Sequence, residues 1–422
     1  MRGLVQGLSF VIVGAWAPSD GWSGPPPEII REWVAPGGEL DRQFGYSVAM
    51  WDGVAAIAND RSDDGSVRQG SIHLGPLGRP AGDLQLLQAP DRKWPDRFGA
   101  AMVFSDGRLL VGAPHDAEHG WDAGAVWLFE EKSTRWRLAD RLRPDRFEPG
   151  ARFGASLAFE GTRALVGAPR TDAGTLDGGA VHVFEETLGT WHELTRLVAP
   201  DRSDADFFGD AVAMTGDLIA VGAWGDDDRG EKSGSVWLFG RRQDAWVAIA
   251  KLVPDDGKAR DRFGWQVAIA GSQLLVSACG EDDAMGCIHV YEPEGEGWRL
   301  VQELRDPEGM ADDWFGFSLA VRGDLLIVGA PSASGTTQWE GRTLIYRRRA
   351  GRWSLLGATS SGTGKEQPVQ FGWSVATDGT LCMAGRIDDA DGPSEAGRAW
   401  LIAPNDVGNP SDRLDEPMIR EP

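Results

Sequence analysis

The sequence predicts an all-β protein, a seven-bladed β-propeller with four antiparallel strands in each blade. A Phe-Gly pair followed by an alternating run of small and apolar residues recurs at Phe44, Phe98, Phe153, Phe208, Phe263, Phe315 and Phe371. Successive pairs lie 54, 55, 55, 55, 52 and 56 residues apart, so the seven units cover nearly the whole of the 422 residues. Repeats of this length are typical of propellers, whose sheets bury both apolar faces by stacking around a ring.

Each unit contains four short segments that alternate like strands or are briefly apolar, bounded by Gly, Asp, Asn or Pro. In the third unit these are residues 154–159, 164–168, 180–184 and 191–197. A Gly or Asp turn such as Asp106-Gly107 joins the first two segments, which is typical of a tight hairpin. Each unit is therefore predicted to be one antiparallel sheet.

The two ends of the chain together complete the last blade. The seventh unit stops after its third strand, residues 399–402, while a strand-like segment, residues 29–35, precedes the first Phe-Gly pair. Ile30 and Trp33 lie 14 and 11 residues ahead of Phe44, the offsets that fourth-strand leucines of other units have from the next pair. We predict that this segment is a displaced fourth strand that closes the ring.

We place the propeller at residues 28–404, so residues 1–27 and 405–422 flank it. Arg2 is followed by an apolar stretch, and residues 1–15 are typical of a signal peptide, with a buried first strand as the alternative. Residues 16–27 are predicted to be a linker and residues 405–422 a disordered tail. No other segment has the apolar length of a membrane span. We expect a secreted, periplasmic or cell-surface protein.

The charge of the chain argues against some classes of partner. Lys and Arg number 42 and Asp and Glu 64, so the formal net charge is −22. Such a charge repels the phosphates of nucleic acids and the headgroups of anionic membranes. We expect no nucleic-acid partner and a monomeric protein.

Three segments of each unit resemble the FG-GAP repeat. In the second unit these are Phe98-Gly99, Leu110-Val111-Gly112-Ala113-Pro114 and residues 124–129. This repeat builds the N-terminal propeller of integrin α subunits and occurs in many exported bacterial proteins, so the resemblance implies a scaffold for protein binding or adhesion. Integrin repeats carry Asp-rich calcium loops between the first and second strands. This chain has bare hairpins there, so those calcium sites cannot be carried over.

Acidic residues collect in the loops between second and third strands. In a propeller these loops share one face with the connections between blades, and we call it the loop face. The densest groups are Asp226, Asp227 and Asp228, and Asp388, Asp389 and Asp391. Converging carboxylates bind hard cations such as Ca2+ or attract a basic partner, whereas the alternative is that Asp only forms turns and solvates loops. Calcium is the one cofactor that the sequence indicates.

The tryptophans fall into two groups. Four of them, Trp136, Trp191, Trp246 and Trp298, lie 17 residues before the next repeat Phe, which indicates packing within blades. Five others break that phase and lie in loops: Trp94, Trp121, Trp224, Trp314 and Trp339. Aromatic side chains among polar residues are candidate contacts for a protein or glycan ligand, and shielding of the core is the alternative.

Two of the three cysteines flank one acidic loop. Cys279 ends a predicted strand and Cys287 begins its hairpin partner, with Glu281 to Asp283 between them. In an oxidising compartment they could form a disulfide, and two buried thiols are the alternative.

The sequence offers little for catalysis. It contains no Gly-x-Ser-x-Gly elbow, no His-Glu-x-x-His and no phosphate-binding Gly-x-x-x-x-Gly-Lys loop. The first strands, which line a propeller's channel, carry small and mostly uncharged side chains, with Asp210 as the exception. We therefore expect a non-enzymatic binding or adhesion scaffold. The alternative is a propeller hydrolase or lyase that uses rim carboxylates with a divalent cation.

Overall fold

The predicted propeller is confirmed by a computed structural model, which describes residues 26–36, 43–59, 70–90, 96–334, 340–361, 370–387 and 397–406. Seven four-stranded antiparallel sheets follow one another around a ring. The first strand of each blade contacts the first strand of the next blade, and that of the last blade contacts that of the first. The first strands therefore surround the central channel.

The strands are numbered in chain order. The chain begins with β1 (Glu28–Val34). Blade 1 contains β2 (Phe44–Trp51), β3 (Val54–Asn59), β4 (Ser71–Pro76) and β5 (Gln85–Leu87); blade 2 contains β6 (Ala101–Ser105), β7 (Arg108–Ala113), β8 (Ala125–Lys132) and β9 (Arg135–Leu142). Blade 3 contains β10 (Ser156–Glu160), β11 (Arg163–Ala168), β12 (Ala180–Thr187) and β13 (Thr190–Leu197).

The second half of the ring repeats this plan. Blade 4 contains β14 (Ala211–Thr215), β15 (Leu218–Ala223), β16 (Ser235–Arg242) and β17 (Ala245–Leu252); blade 5 contains β18 (Phe263–Ala270), β19 (Gln273–Ala278), β20 (Cys287–Glu294) and β21 (Gly297–Leu304). Blade 6 contains β22 (Ser318–Arg322), β23 (Leu325–Ala330), β24 (Arg342–Arg349) and β25 (Arg352–Thr359). Blade 7 contains β26 (Ser374–Thr377), β27 (Cys382–Arg386) and β28 (Arg398–Ala403), completed by β1.

Helical structure within the described ranges consists of a 3-10 turn, Ala81–Asp83, and one short turn of helix, Glu281–Ala284. Neither comes near the length and apolar character that crossing a membrane requires. The predicted signal peptide lies outside the described residues, as do most of the linker and residues 407–422 of the tail.

The Phe-Gly pair is where neighbouring blades meet. All seven Phe side chains of the pairs are at most 2% exposed. The second-strand Gly167 of blade 3 lies so close to the carbonyl oxygen of Gly209 in blade 4 that a Cβ atom would overlap it. Gly385 of blade 7 faces Gly45 of blade 1 in the same way, and Ser374 Oγ donates a hydrogen bond to Gly45 O at 2.7 Å. The contact between blades 7 and 1 therefore matches the contact between blades 3 and 4.

The displaced N-terminal strand closes blade 7 as predicted. β1 pairs antiparallel with β28, and Trp33 lies opposite Ala399. The Trp33 side chain is 1% exposed, and its Nε1 donates a hydrogen bond to Arg79 O of blade 1 at 2.8 Å. A bulge falls at Ile30, and blade 3 has its bulge at the equivalent Leu194. β1 thus has the geometry of a fourth strand despite coming from the other end of the chain.

The aromatic series predicted to pack within blades does so in the described blades. Trp136, Trp246 and Trp353 are buried, and Trp191 and Trp298 are half-buried against the neighbouring core. On the third strands, His182 occupies the position that Trp400 has in blade 7, and each ring contacts the repeat Phe edge-on. These side chains therefore belong to the core.

We predict that Trp33→Ala lowers the free energy of unfolding by about 3–5 kcal/mol, because a buried Trp and the last strand of the ring lose their contacts. Urea denaturation followed by circular dichroism measures the change. Val34→Ala is the matched control, since Val34 is 43% exposed on the same strand, and it should cost less than about 1 kcal/mol. Equal losses in the two variants would contradict closure by β1.

Candidate functional site

The mouth of the central channel lies on the loop face, where the first strands begin. Two positions of each repeat meet there: the residue before the Phe-Gly pair and the residue after it. The residue before the pair has a left-handed backbone in most blades, with φ of 56° at Arg152, 53° at Phe207, 56° at Arg262 and 59° at Trp314. We call the side chains at these two positions, together with Trp224, the channel mouth.

Aromatic rings form a continuous arc around half of the channel mouth. Phe207 stacks on Trp224 with ring centroids 4.8 Å apart. The following neighbours along the arc are Trp224 and Trp265 at 5.4 Å, Trp265 and Phe317 at 5.6 Å, Phe317 and Trp373 at 4.7 Å, and Trp373 and Tyr46 at 6.0 Å. All six rings are half-buried. Because they come from blades 4, 5, 6, 7 and 1, the ring of blades itself creates this arc.

Arg262 lies over the middle of the aromatic arc. Its guanidinium carbon is 4.7 Å from the ring centroid of Trp314, 5.6 Å from Trp265 and 5.8 Å from Trp224. The charge of Arg262 also partly offsets the burial that raises the pKa of Cys279. Contacts of a cation with ring faces are favourable, so three indoles fix this charge at the mouth.

The other half of the channel mouth is small and cationic. Blades 2 and 3 place Ala100 and Ala155 after their Phe-Gly pairs. Burial, followed by repulsion from Arg170, lowers the pKa of Arg152. Arg170 lies 5.6 Å from the centroid of the Phe207 ring. Two arginines therefore lie here, each beside a carboxylate of its own: Arg152 is 3.7 Å from Asp122 and Arg170 is 3.8 Å from Asp177.

One carboxylate, Asp210, lies where the two halves meet. Its Oδ2 accepts a hydrogen bond from Trp224 Nε1 at 2.7 Å. Burial raises the pKa of Asp210, and the hydrogen bond from Trp224 and the charges of Arg152 and Arg170 partly oppose that shift. The indole of Trp224 and the two guanidinium groups therefore reduce the shift of the Asp210 pKa, but burial is the larger effect.

The acidic loops surround this mouth and hold cations of the protein itself. Lys251 Nζ lies 2.6 Å from Asp201, 2.8 Å from Asp226 and 2.7 Å from Asp228. The three carboxylates lie close enough together to ligate a metal ion, and hydrogen bonds to them raise the pKa of Lys251 despite its burial. The predicted ligands Asp226 and Asp228 therefore share an ammonium, while Asp227 Oδ1 accepts the backbone N–H of Lys232.

Other blades repeat this neutralisation. In blade 2, Arg141 takes the fourth-strand position of Lys251 and pairs with Asp116 at 3.6 Å and with Glu118. After blade 5, Arg305 pairs with Asp282 at 2.7 Å and with Glu281. Much of the acidic rim is thus a set of ion pairs between loops and fourth strands.

Comparison with known protein families identifies the repeat. The FG-GAP repeat model matches residues 136–184, 191–239, 246–291 and 298–343. Each match runs from the fourth strand of one blade through the third strand of the next, so the family's unit spans the blade contact described above. This chain is an FG-GAP repeat propeller.

A second similarity concerns another repeat protein. The FG-GAP propeller is 23% identical over 270 residues to an F-box/kelch-repeat protein of Arabidopsis thaliana. The match covers 61% of this chain and 58% of that protein, so the chain spans somewhat over half of that relative's length. Kelch repeats also form propeller blades, which accounts for a similarity at this level.

The five tryptophans predicted as ligand contacts of the propeller have different surroundings. Trp224 and Trp314 belong to the channel mouth, where both are half-buried. Trp121 lies on the outer part of the loop face and is 71% exposed. Trp94 and Trp339 lie outside the described residues, as do the metal candidates Asp388, Asp389 and Asp391.

Sequence reasoning was wrong about the channel strands. It described their side chains as small, whereas Trp265, Phe317 and Trp373 contribute large rings to the arc. It also overlooked Arg262, because single residues flanking the Phe-Gly pair differ from blade to blade. The signal that could have found them is position: these side chains occupy repeat positions next to an invariant buried Phe.

The predicted cysteine pair consists of free thiols in the structure, the second alternative raised by the sequence. Both side chains are fully buried, and Cys287 lies opposite Ala278, the residue before Cys279. Burial raises the pKa of Cys279 to about 12 and that of Cys287 further. Both are therefore protonated core residues at neutral pH.

Removal of the Lys251 ammonium should leave three carboxylates in mutual repulsion. We predict that Lys251→Met lowers the free energy of unfolding by about 2–4 kcal/mol in chelator, and that millimolar Ca2+ restores part of the loss. Urea denaturation with and without Ca2+ tests both. Lys258→Met, which removes a 71% exposed lysine, is the control and should change little. Equal stability of Lys251→Met and the unsubstituted protein in chelator would refute the role of Lys251.

The buried Asp206, just before Phe207, should make stability depend on pH. Burial raises its pKa to about 6, although its Oδ2 accepts the Ser203 backbone N–H at 2.6 Å. A carboxyl group with a raised folded-state pKa binds its proton more tightly in the folded state, so stability falls as pH rises from about 4 to 6. We predict that Asp206→Asn stabilises the protein above pH 6 but not below pH 4.

Denaturation of Asp206→Asn across that pH range measures the difference. Asp204→Asn is the matched control, because the exposed Asp204 also accepts one backbone N–H, from Leu176 at 2.9 Å. Its pH profile should parallel that of the unsubstituted protein. A parallel profile for Asp206→Asn as well would show that the pKa of Asp206 is not raised.

Proposed function

We propose that this FG-GAP propeller is an exported, non-catalytic scaffold that binds a protein ligand on its loop face, centred on the channel mouth. The observation that carries the proposal is the aromatic arc with Arg262 over it. Trp, Tyr and Arg dominate the energetics of protein interfaces, especially where they are grouped and partly desolvated. Six half-buried rings and a guanidinium in contact with indole rings at the channel mouth have that composition.

Two features favour binding over chemistry. General acid and base catalysis requires a pair of suitably placed titratable groups, as in hydrolases with two carboxylates. Asp210, the carboxyl group at the mouth, instead accepts the Trp224 N–H beside two arginines. In addition, Lys251 already neutralises the carboxylates that a divalent cation would need. The proposal therefore needs no cofactor.

Export and a monomeric state are parts of the proposal that rest on the sequence. The apolar stretch after Arg2 supports a signal peptide, and a net charge of −22 disfavours self-association. The exposed Trp121 and Leu176 extend the apolar surface of the loop face outward from the mouth. A ligand that covers the mouth could use these side chains as well.

We predict that the double variant Trp224→Ala/Trp314→Ala captures its ligand from native medium or envelope extract at least tenfold less than the unsubstituted protein. The reason is that Trp224, a ring of the arc, is lost together with Trp314, and both rings support Arg262. Quantitative mass spectrometry of pull-downs measures the change. Circular dichroism melting must show that the variant is folded.

Trp51→Ala is the matched control for this experiment. Trp51 is a half-buried tryptophan at the hairpin on the opposite face, where Arg322 lies 4.0 Å from its ring centroid. This variant should capture the same proteins as the unsubstituted chain. Identical captures by all three proteins would eliminate the channel mouth as the binding site.

A further inference from the structure

We propose that the group bound at the channel mouth is a carboxylate, presented by a loop of a basic protein partner and held by Arg262. This rests on the proposed function and specifies the chemistry of its ligand. The arc alone would suit a cation, because ring faces attract positive charge. In this chain Arg262 already occupies that position over Trp224, Trp265 and Trp314, so a cationic ligand would meet a like charge.

Arg262 differs from nearby arginines in having no carboxylate of its own within the described part of the chain. Arg152 lies 3.7 Å from Asp122, Arg170 lies 3.8 Å from Asp177, and Arg260 lies 3.7 Å from Glu231. The contacts described for the Arg262 side chain are three indole rings. It is therefore a fixed positive charge without an anion.

A guanidinium that has no carboxylate partner is suited to binding the carboxylate of a ligand. Its five N–H donors lie in one plane and match the two oxygens of a carboxylate, while its faces stack on aromatic rings. Here the three indole rings lie within cation–π distance of the guanidinium, which leaves its N–H donors for a ligand. Charge-assisted pairs of this kind are among the stronger hydrogen bonds in proteins.

Asp210 shows which groups surround a carboxyl group at the channel mouth. Its Oδ2 accepts a hydrogen bond from Trp224 Nε1, and the charges of Arg152 and Arg170 partly offset the burial that raises its pKa. The inferred ligand group would have the equivalent environment on the Arg262 side, between indole rings and a guanidinium. The mouth therefore brings an indole N–H and guanidinium charges to one carboxyl group, and Arg262 offers the same kinds of group to a ligand.

The charge around the mouth selects the kind of molecule that brings the carboxylate. The net charge of the chain is −22, and the exposed acids on the surrounding loops are Asp312 together with Asp228, Glu231 and Asp255, each of which lies beside one cation. A polyanion such as an acidic polysaccharide would be repelled by these loops. A protein loop with an acidic residue at its tip and basic residues beside it complements both the cationic centre and the acidic surround.

The test is selection of random peptides displayed on phage against the intact propeller. We expect enriched peptides that contain an Asp or Glu flanked by Lys or Arg. For a synthetic peptide from this set, Arg262→Gln should weaken binding at least tenfold, as loss of a charged contact does. Replacing the peptide's acid by its amide should have the same effect, and the two losses should overlap rather than add.

Arg260→Gln is the matched control, because it removes the same charge from an exposed side chain in the same loop. It should change affinity less than twofold, and Arg262→Lys should retain part of the binding. Melting curves must show that Arg262→Gln is folded.

The outcomes separate this inference from the proposed function. Peptides that lose binding with Trp224→Ala/Trp314→Ala but lack an acid, or ignore Arg262→Gln, would overturn the carboxylate inference and leave the proposed function intact. Peptides insensitive to both variants would overturn the proposed function. If no Arg262-dependent peptide emerges, or if immobilised polygalacturonate binds through Arg262 instead, the inference of a basic protein partner is wrong.

Discussion

The structure depends on one close approach between neighbouring blades. A second-strand glycine, such as Gly167 or Gly222, lies directly against the carbonyl oxygen of the Phe-Gly glycine of the next blade, where any side chain would overlap it. Interiors pack at the density of organic crystals, so this spacing brings the sheets into full contact along their faces. Blades 7 and 1 make the contact through Gly385 and Gly45, and the serine hydroxyl that reinforces it recurs there. The contact between blades 7 and 1 therefore needs no special seam, although blades 1 and 5 carry Ala58 and Ser277 where the other five blades carry this glycine.

The same contact creates the candidate site. Because the repeat Phe must turn inward between blades, the residue before it adopts a left-handed backbone, at φ of 53° for Phe207 and 59° for Trp314. Left-handed backbone costs a residue with a side chain about 1 kcal/mol or more, which the buried Phe and the blade contact offset. The side chains on either side of the pair then converge from successive blades. Packing and recognition are therefore consequences of one local geometry.

The fold was predictable because the repeat occurs seven times in the sequence. Even the displaced strand β1 could be found, because Ile30 and Trp33 precede Phe44 by the same number of residues as fourth-strand leucines precede the next repeat Phe. The channel mouth was not, because its positions hold Ala100 and Ala155 in two blades but Trp265 and Trp373 in others. Nothing periodic marks such residues. The ion pairs of the rim were equally hidden, since Lys251 comes beside Asp201 and Asp228 only through strand register and blade stacking. The sequence shows which loops carry acidic residues, but it does not show which cation lies beside them in the folded protein.

The charge of the chain illustrates why composition alone does not determine what a repeat protein binds. A net charge of −22 governs encounters at distances up to about the Debye length of 8–10 Å, where the exposed acids of the loops act together. At contact the local groups decide, and on the loop face these are arginines and indoles at the centre, with loop carboxylates paired to Lys251, Arg141 and Arg305 around them. Long-range attraction therefore favours a basic partner, while the contact itself favours an acidic group. A surface with these two opposed preferences distinguishes a shaped protein loop from a simple polycation or polyanion, because only the loop satisfies both.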